Sequence, residues 1–226
     1  MIRVLIVDDQ PVVRHGLKLF LTNYDDINVI GESDSGPSAV LQSRRLTPDV
    51  ILMDIRMPNG DGLAAAREII LQCPSQKIII ITTFGHDGYL YTAIDIGVSG
   101  FLLKNSGPDE LAQAIYTAHK GGTVIAPSLL SSLAREFGRR AIVRTQRTSS
   151  PKASDDLLTT REHEIIHCLA RGLSNDEIAE ELHVEVSTIK THLNRISNKV
   201  GTKSRLQTTI WAYRSGVVDV QNLDIR

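Results

Sequence analysis

The chain has 226 residues, enough for one large or two small domains that each bury a core. Its residues are 42% hydrophobic, 23% charged and 4% aromatic, an ordinary composition for a globular protein. With Lys+Arg 25 against Asp+Glu 26 the net charge is -1, which excludes a chain that coats nucleic acid or anionic membrane indiscriminately but leaves room for a local basic face.

The sequence opens on a strand-like run, Ile2-Arg3-Val4-Leu5-Ile6-Val7, without the apolar stretch and cleavage site of a signal peptide. No apolar run approaches the ~18 residues of a membrane span, so no membrane partner is expected. Cys73 and Cys168 fall in different halves of the chain, which argues against a disulfide framework and favours a cytoplasmic location.

Strands are predicted at 2–8, 28–32, 49–54, 77–83 and 99–104, with helices near 11–23, 36–46, 62–73, 87–97 and 107–120. Val50-Ile51-Leu52-Met53 and Ile78-Ile79-Ile80-Ile81 are apolar without alternation, as in parallel strands covered by helices on both faces. Strand alternating with helix five times predicts a doubly wound α/β domain. Periodicity does not fix its strand order. Beyond Gly138 the texture changes: Arg139 to Pro151 holds four arginines, many Ser and Thr, and no acid, as expected of a linker. The full linker is placed at 123–156, with room for a short helix at 127–137.

From Leu157 onward the pattern is helical, with helices predicted near 160–171, 175–182, 187–200 and 204–215. Thr159-x-x-Glu162 and Ser174-x-x-Glu177 both match the capping box, and Gly172 and Gly201 fall where helices end. A smaller all-α domain therefore follows the α/β domain.

Ligands of open α/β sheets bind beyond the carboxyl ends of the strands. Those predicted ends carry Asp8-Asp9, Asp54, Thr82-Thr83 and Lys104. Three clustered carboxylates repel unless a hard cation such as Mg²⁺ sits among them, and that cation can also hold a phosphoryl group. One carboxylate can then act as a nucleophile and form an aspartyl phosphate. Acids also end strands simply because Asp favours turns. An acid pair, an isolated Asp, a hydroxyl and a lysine, each after an apolar strand, outweigh that explanation.

In the second domain, residues 176–185 carry Asp176, Glu177, Glu180, Glu181 and Glu185, whereas Val186 to Gly216 contains no acid. Lys190, Arg195, Lys199, Lys203, Arg205 and Arg214 accumulate there instead, the footprint of a helix presented to phosphate. At 100° per residue Ile189, Leu193, Ile196 and Val200 form a stripe facing the core. Opposite lie Thr191, Asn194, Arg195 and Asn198, suited to base edges, with Lys190 and Lys199 on the flanks suited to phosphates.

Two rival readings are available. His163-Glu164-Ile165-Ile166-His167 matches a zinc-protease pattern, but both imidazoles project away from the buried side defined by Ile165, Ile166, Leu169 and Leu173, and no third ligand follows in a convincing motif. A phosphohydrolase with an aspartyl-phosphate intermediate also suits the carboxylates, although no further acid is placed for turnover.

The first ~120 residues resemble the receiver domain of two-component response regulators. The likeness is carried by Val7-Asp8-Asp9-Gln10, Leu52-Met53-Asp54-Ile55-Arg56-Met57-Pro58, Thr82-Thr83-Phe84 and Gly100-Phe101-Leu102-Leu103-Lys104. Leu158-Thr159-Thr160-Arg161-Glu162, Gly172-Leu173-Ser174-Asn175, Glu177-Ile178-Ala179 and Ser187-Thr188-Ile189-Lys190-Thr191-His192 resemble a LuxR-type helix-turn-helix. Together they are similar to the NarL/FixJ family, with a receiver at 1–122 and a DNA-binding domain at 157–226.

The resemblance implies a (βα)₅ sheet of order 2-1-3-4-5 and a sensor histidine kinase that phosphorylates Asp54. It makes Asp9, Asp54 and the Arg56 carbonyl direct Mg²⁺ ligands, with Asp8 acting through water. Thr82 and Lys104 would bind the phosphoryl group, and Phe101 would change position with Thr82. Arg56 and Phe84 would influence phosphate lifetime. Lys190, Thr191 and Asn194 are the leading contacts to double-stranded promoter DNA, with Thr188 a weaker one. Homodimerisation on phosphorylation or DNA binding, and contact with RNA polymerase, complete the implied partners. Beyond self-phosphorylation and autodephosphorylation no enzyme activity is expected. Glu185 departs from the family where a Ser or Thr often caps the recognition helix, and Asn194 takes a position that is often basic or small.

Overall fold

The computed structural model describes residues 1–58, 62–83, 87–125, 157–202 and 204–218. The helix expected at 127–137, together with Phe84 and Lys203, lies outside the described residues. The chain separates into two compact units that divide between Ala126 and Pro127.

The N-terminal unit runs β1 (Ile2–Val7), α1 (Pro11–Leu21), β2 (Ile27–Ser33), α2 (Gly36–Leu46), β3 (Val50–Asp54), α3 (Gly62–Gln72), β4 (Lys77–Thr82), α4 (Asp87–Ile96), β5 (Gly100–Leu103), α5 (Pro108–His119) and β6 (Val124–Ile125). The sheet order is β2-β1-β3-β4-β5-β6 and the pairings are parallel. The expected 2-1-3-4-5 order thus holds, and β6 adds an edge strand where the sequence reading begins a linker. Two residues carry too little pattern to announce a strand, even behind the Gly121-Gly122 turn signal.

Both sheet faces are covered, which is why β3 and β4 read as continuous apolar runs. Val4, Ile6, Val50, Leu52, Ile79, Ile81 and Leu102 pack with Leu17 and Leu21 of α1 and with Leu111 and Ile115 of α5. The alternate residues Leu5, Ile51, Met53, Ile78, Ile80 and Phe101 are equally buried, and by strand alternation they face the layer of α2, α3 and α4. Pro11, Pro37 and Pro108 stand in the first turns of α1, α2 and α5, where a missing N–H costs nothing.

The C-terminal unit contains α6 (Thr160–Ala170), α7 (Asn175–Glu181), α8 (Val186–Val200) and α9 (Arg205–Arg214). Both predicted capping boxes are formed, at Thr159 with Glu162 and at Ser174 with Glu177. Ile165, Ile166, Ile178, Ile189, Ile196 and Ala212 make its core, with Leu193 and Val200 packed against them as the helical phasing requires.

Candidate functional site

The parallel topology delivers Asp8, Asp54, Thr82 and Lys104 to one end of the sheet. Asp54 is the last residue of β3 and Thr82 the last of β4, on neighbouring strands. Asp8 follows β1, and its N–H donates to the Ser33 carbonyl at 3.1 Å. Lys104 follows β5, and its N–H donates to the Thr82 carbonyl at 2.8 Å. Asp8 is 1% and Asp54 4% exposed, while Asp9 and Thr82 are half-buried.

Carboxylate oxygens of Asp8, Asp9 and Asp54 lie within 4.8 Å of one another. The Lys104 ammonium bridges two of them, donating at 2.6 Å to Asp8 Oδ2 and at 2.8 Å to Asp54 Oδ2. The Gln10 N–H donates to Asp8 Oδ1 at 2.9 Å, and the Arg56 N–H reaches Asp54 Oδ1 at 3.3 Å. Burial lifts the Asp54 carboxyl above its ordinary value; Lys104 opposes this, the Asp8 charge adds to it, and the rise survives. Burial pulls Lys104 the other way, but its bonds to Asp54 and Asp8 outweigh that and hold it above the ordinary value.

One ammonium leaves three acids incompletely matched. Asp9 Oδ1 is buried without a hydrogen-bond partner, a costly state for a carboxylate oxygen unless a cation takes it. Hard oxygen donors converging at this spacing fit a divalent cation, and the acidic cluster is typical of a receiver magnesium site. Among the described residues it is the one group of three or more candidate metal ligands; His163 is half-buried and His167 exposed, and neither belongs to such a group.

Phe101 is fully buried, with its Cα partnered by Ile80 and by Ile125 of β6. Gly62, unremarked in the sequence, sets how closely α3 approaches the site: a Cβ there would sit 1.9 Å from the Asp54 carbonyl oxygen. Its only sequence signal is a glycine opening a helix. Arg56 also makes a contact that no motif announces, with its guanidinium carbon 5.5 Å from the Tyr89 ring centroid in α4.

In the second unit, α7 and α8 form the helix-turn-helix. Lys190, Thr191, Asn194, Arg195 and Asn198 are exposed on α8 and Thr188 is half-buried. The Thr191 hydroxyl donates to the Ser187 carbonyl at 2.9 Å. Glu185 is the N-cap of α8 and makes no side-chain capping bond, as its departure from Ser or Thr suggests. Lys199, exposed on the flank of α8, also bonds within the unit. Its ammonium donates at 2.6 Å to Glu162, which is buried and also accepts from the Thr159 N–H at 2.7 Å. Burial alone would raise the Glu162 carboxyl, but Lys199 and Thr159 outweigh it and hold it below its ordinary value. The sequence could not place Lys199 against a residue 37 positions away.

Residues 4–116 match the response regulator receiver domain, and residues 156–212 match the bacterial regulatory proteins of the luxR family. Fold, acidic site and helix-turn-helix define the class as a two-component response regulator with DNA-binding output, not a classical enzyme. The transcriptional regulatory protein YxjL of Bacillus subtilis is 37% identical over 96% of this chain and 97% of its own length. The response regulator protein VraR of Staphylococcus epidermidis is 35% identical over 96% of this chain and 99% of its own. Among solved structures, the response regulator ChrA of a heme-sensing two-component system is 31% identical over 96% of this chain and 98% of that one, with a TM-score of 0.50. The chain belongs to the NarL/FixJ family of response regulators. Such a receiver implies a kinase partner, and such a helix-turn-helix implies DNA binding. No described helix is long and apolar enough to cross a membrane.

Proposed function

We propose that Asp54 accepts a phosphoryl group from a sensor histidine kinase and that the resulting aspartyl phosphate controls promoter binding through α8. The observation that carries this reading is the convergence of buried Asp8 and Asp54 with half-buried Asp9 and Lys104 at one sheet end. An Asp54 carboxylate oxygen attacks the phosphorus of a phosphohistidine, the P–N bond breaks, and the imidazole nitrogen keeps the electron pair. Asp54 is suited to this, because burial raises the proton affinity of its carboxylate and with it the nucleophilicity of the oxygen.

Asp9, Asp54 and the Arg56 carbonyl would hold Mg²⁺ directly, with Asp8 holding it through water. The ion supplies charge neutralisation for the acids and the phosphoryl oxygens. Lys104 moves from carboxylate to phosphoryl oxygen, and the Thr82 hydroxyl takes another. Phe101 then transmits the change with Thr82. The domain boundaries 1–122 and 157–226, with a linker between, describe the division of labour. A regulator of transcription meets its promoter, and RNA polymerase, in the cytoplasm.

Lys190 contacts phosphate, while Thr191, Asn194, Arg195 and Asn198, with Thr188, face base edges or backbone. Two half-sites read by two copies would make the active form a homodimer. A small phosphodonor with magnesium is expected to label the protein once, and Asp54→Asn to remove the label; undiminished labelling of that variant refutes the assignment. Lys190→Ala is expected to lower the slope of log affinity against log salt by about 1, and an unchanged slope removes Lys190 from the phosphate contacts.

A further inference from the structure

Arg14 lies on α1, outside every motif that marks the acidic site, yet it is bonded into that site's frame. It is half-buried, and its Nη1 donates at 2.7 Å to the main-chain carbonyl of Asp8. Its Nε makes no hydrogen bond but lies 3.5 Å from Glu32 of β2 in an ion pair, and the other Glu32 oxygen accepts from Lys18 at 3.1 Å. The guanidinium therefore ties three elements together: the turn after β1, helix α1 and the end of β2. The turn it grips carries Asp8 and Asp9, the latter with its buried, unpartnered oxygen. The Gln10 N–H on Asp8 Oδ1 and the Asp8 N–H on the Ser33 carbonyl fix the same turn from other sides. Two charged side chains hold Asp8, Lys104 at its carboxylate and Arg14 at its main chain, and a charged donor makes the stronger bond.

We infer that Arg14 is a positioning residue for the divalent cation: by gripping the Asp8 carbonyl, and being held in turn by Glu32, it presets the Asp8–Asp9 turn for metal binding. The inference rests on the magnesium reading of the acidic cluster. It makes a prediction opposite in sign to simple electrostatics. A guanidinium beside an acidic cluster repels an incoming cation, so neutralising it without other effect would tighten binding. Loss of positioning weakens binding instead. Outer partners of metal ligands typically govern affinity by 10- to 100-fold.

The test is direct titration of the full chain with Mn²⁺ as the probe, read by electron paramagnetic resonance of the unbound ion, alongside thermal unfolding. Arg14→Gln is expected to weaken Mn²⁺ binding about 10-fold. Arg14→Lys, which retains a donor for the carbonyl, is expected to recover part of that loss. Glu32→Gln, which leaves Arg14 present but unheld, is expected to give a smaller weakening. Phosphorylation from a small phosphodonor should then need more magnesium in Arg14→Gln while reaching the same saturated rate. Should Arg14→Gln fail to fold, Glu32→Gln and Arg14→Lys carry the test alone, and wild-type affinity in both overturns the inference. Unchanged or tighter binding by folded Arg14→Gln also overturns it, leaving the magnesium reading intact. A wild-type chain that takes no Mn²⁺, or an Asp9→Asn variant that binds as well as wild type, overturns the magnesium reading and the inference together.

Discussion

Two buried carboxylates, Asp8 and Asp54, share the single ammonium of Lys104, whose side chain is 11% exposed. Removing one member of a buried ionic set leaves charge without compensation, at a cost of about 3 kcal/mol. Lys104→Met is expected to lose about that much stability in the presence of a chelator and to regain most of it in excess magnesium, because the cation replaces the lost charge. Equal destabilisation in both conditions, measured by urea unfolding, would show that the acids do not share a cation. Gly62 supports the same centre sterically. Gly62→Ala forces backbone apart at the Asp54 carbonyl, so about 1–3 kcal/mol of stability is expected to go, together with phosphorylation rate. A fully active, equally stable variant would contradict the close approach.

At the scale of elements, α5 is braced by two phenol–carboxylate bonds, Tyr24 to Asp109 and Tyr116 to Asp26, both at 2.6 Å. The bond to the Asp26 carboxylate, with burial adding to it, pushes Tyr116 up to about 12. A phenol held above its ordinary value of 10.0 stabilises the fold fully below that pH. The contribution fades as pH rises toward 12. Tyr116→Phe is therefore expected to flatten the fall of melting temperature above pH 10, whereas an unaltered alkaline limb would dismiss the bond as a contributor. Recognition helix α8 offers the opposite opportunity, since its N-cap Glu185 makes no capping bond. Glu185→Ser is expected to add about 0.5–1 kcal/mol to the C-terminal unit, read by its thermal unfolding, and no gain would mean the helix start is already satisfied. Most elements were legible because their signals are local: continuous apolar runs for β3 and β4, capping boxes for α6 and α7, and helical phasing for α8. Strand β6 was not, because two residues reveal themselves as a strand only through pairing with Gly100 and Phe101.

Across the whole molecule the near-zero net charge conceals a sharp division of labour. Three acids converge with Lys104 at one end of the sheet, and exposed cations and amides concentrate on α8. The acidic site could be read in the sequence because each residue ends a strand and the parallel topology places those ends side by side. What could not be read were the brackets that cross the fold, Arg14 to Asp8 and Glu162 to Lys199, since long-range pairing leaves no periodic trace. The central claim joins the two units: phosphorylation of Asp54 changes DNA binding by α8. It is tested most directly by measuring the affinity of the full chain for a duplex selected from random sequence, with magnesium, with and without a small phosphodonor. Wild type is expected to bind at least about five-fold more tightly when phosphorylated, the lower end of ordinary coupling between sites, and Asp54→Asn to show no change. Equal affinity in both wild-type states, or an equal response from Asp54→Asn, would contradict the account.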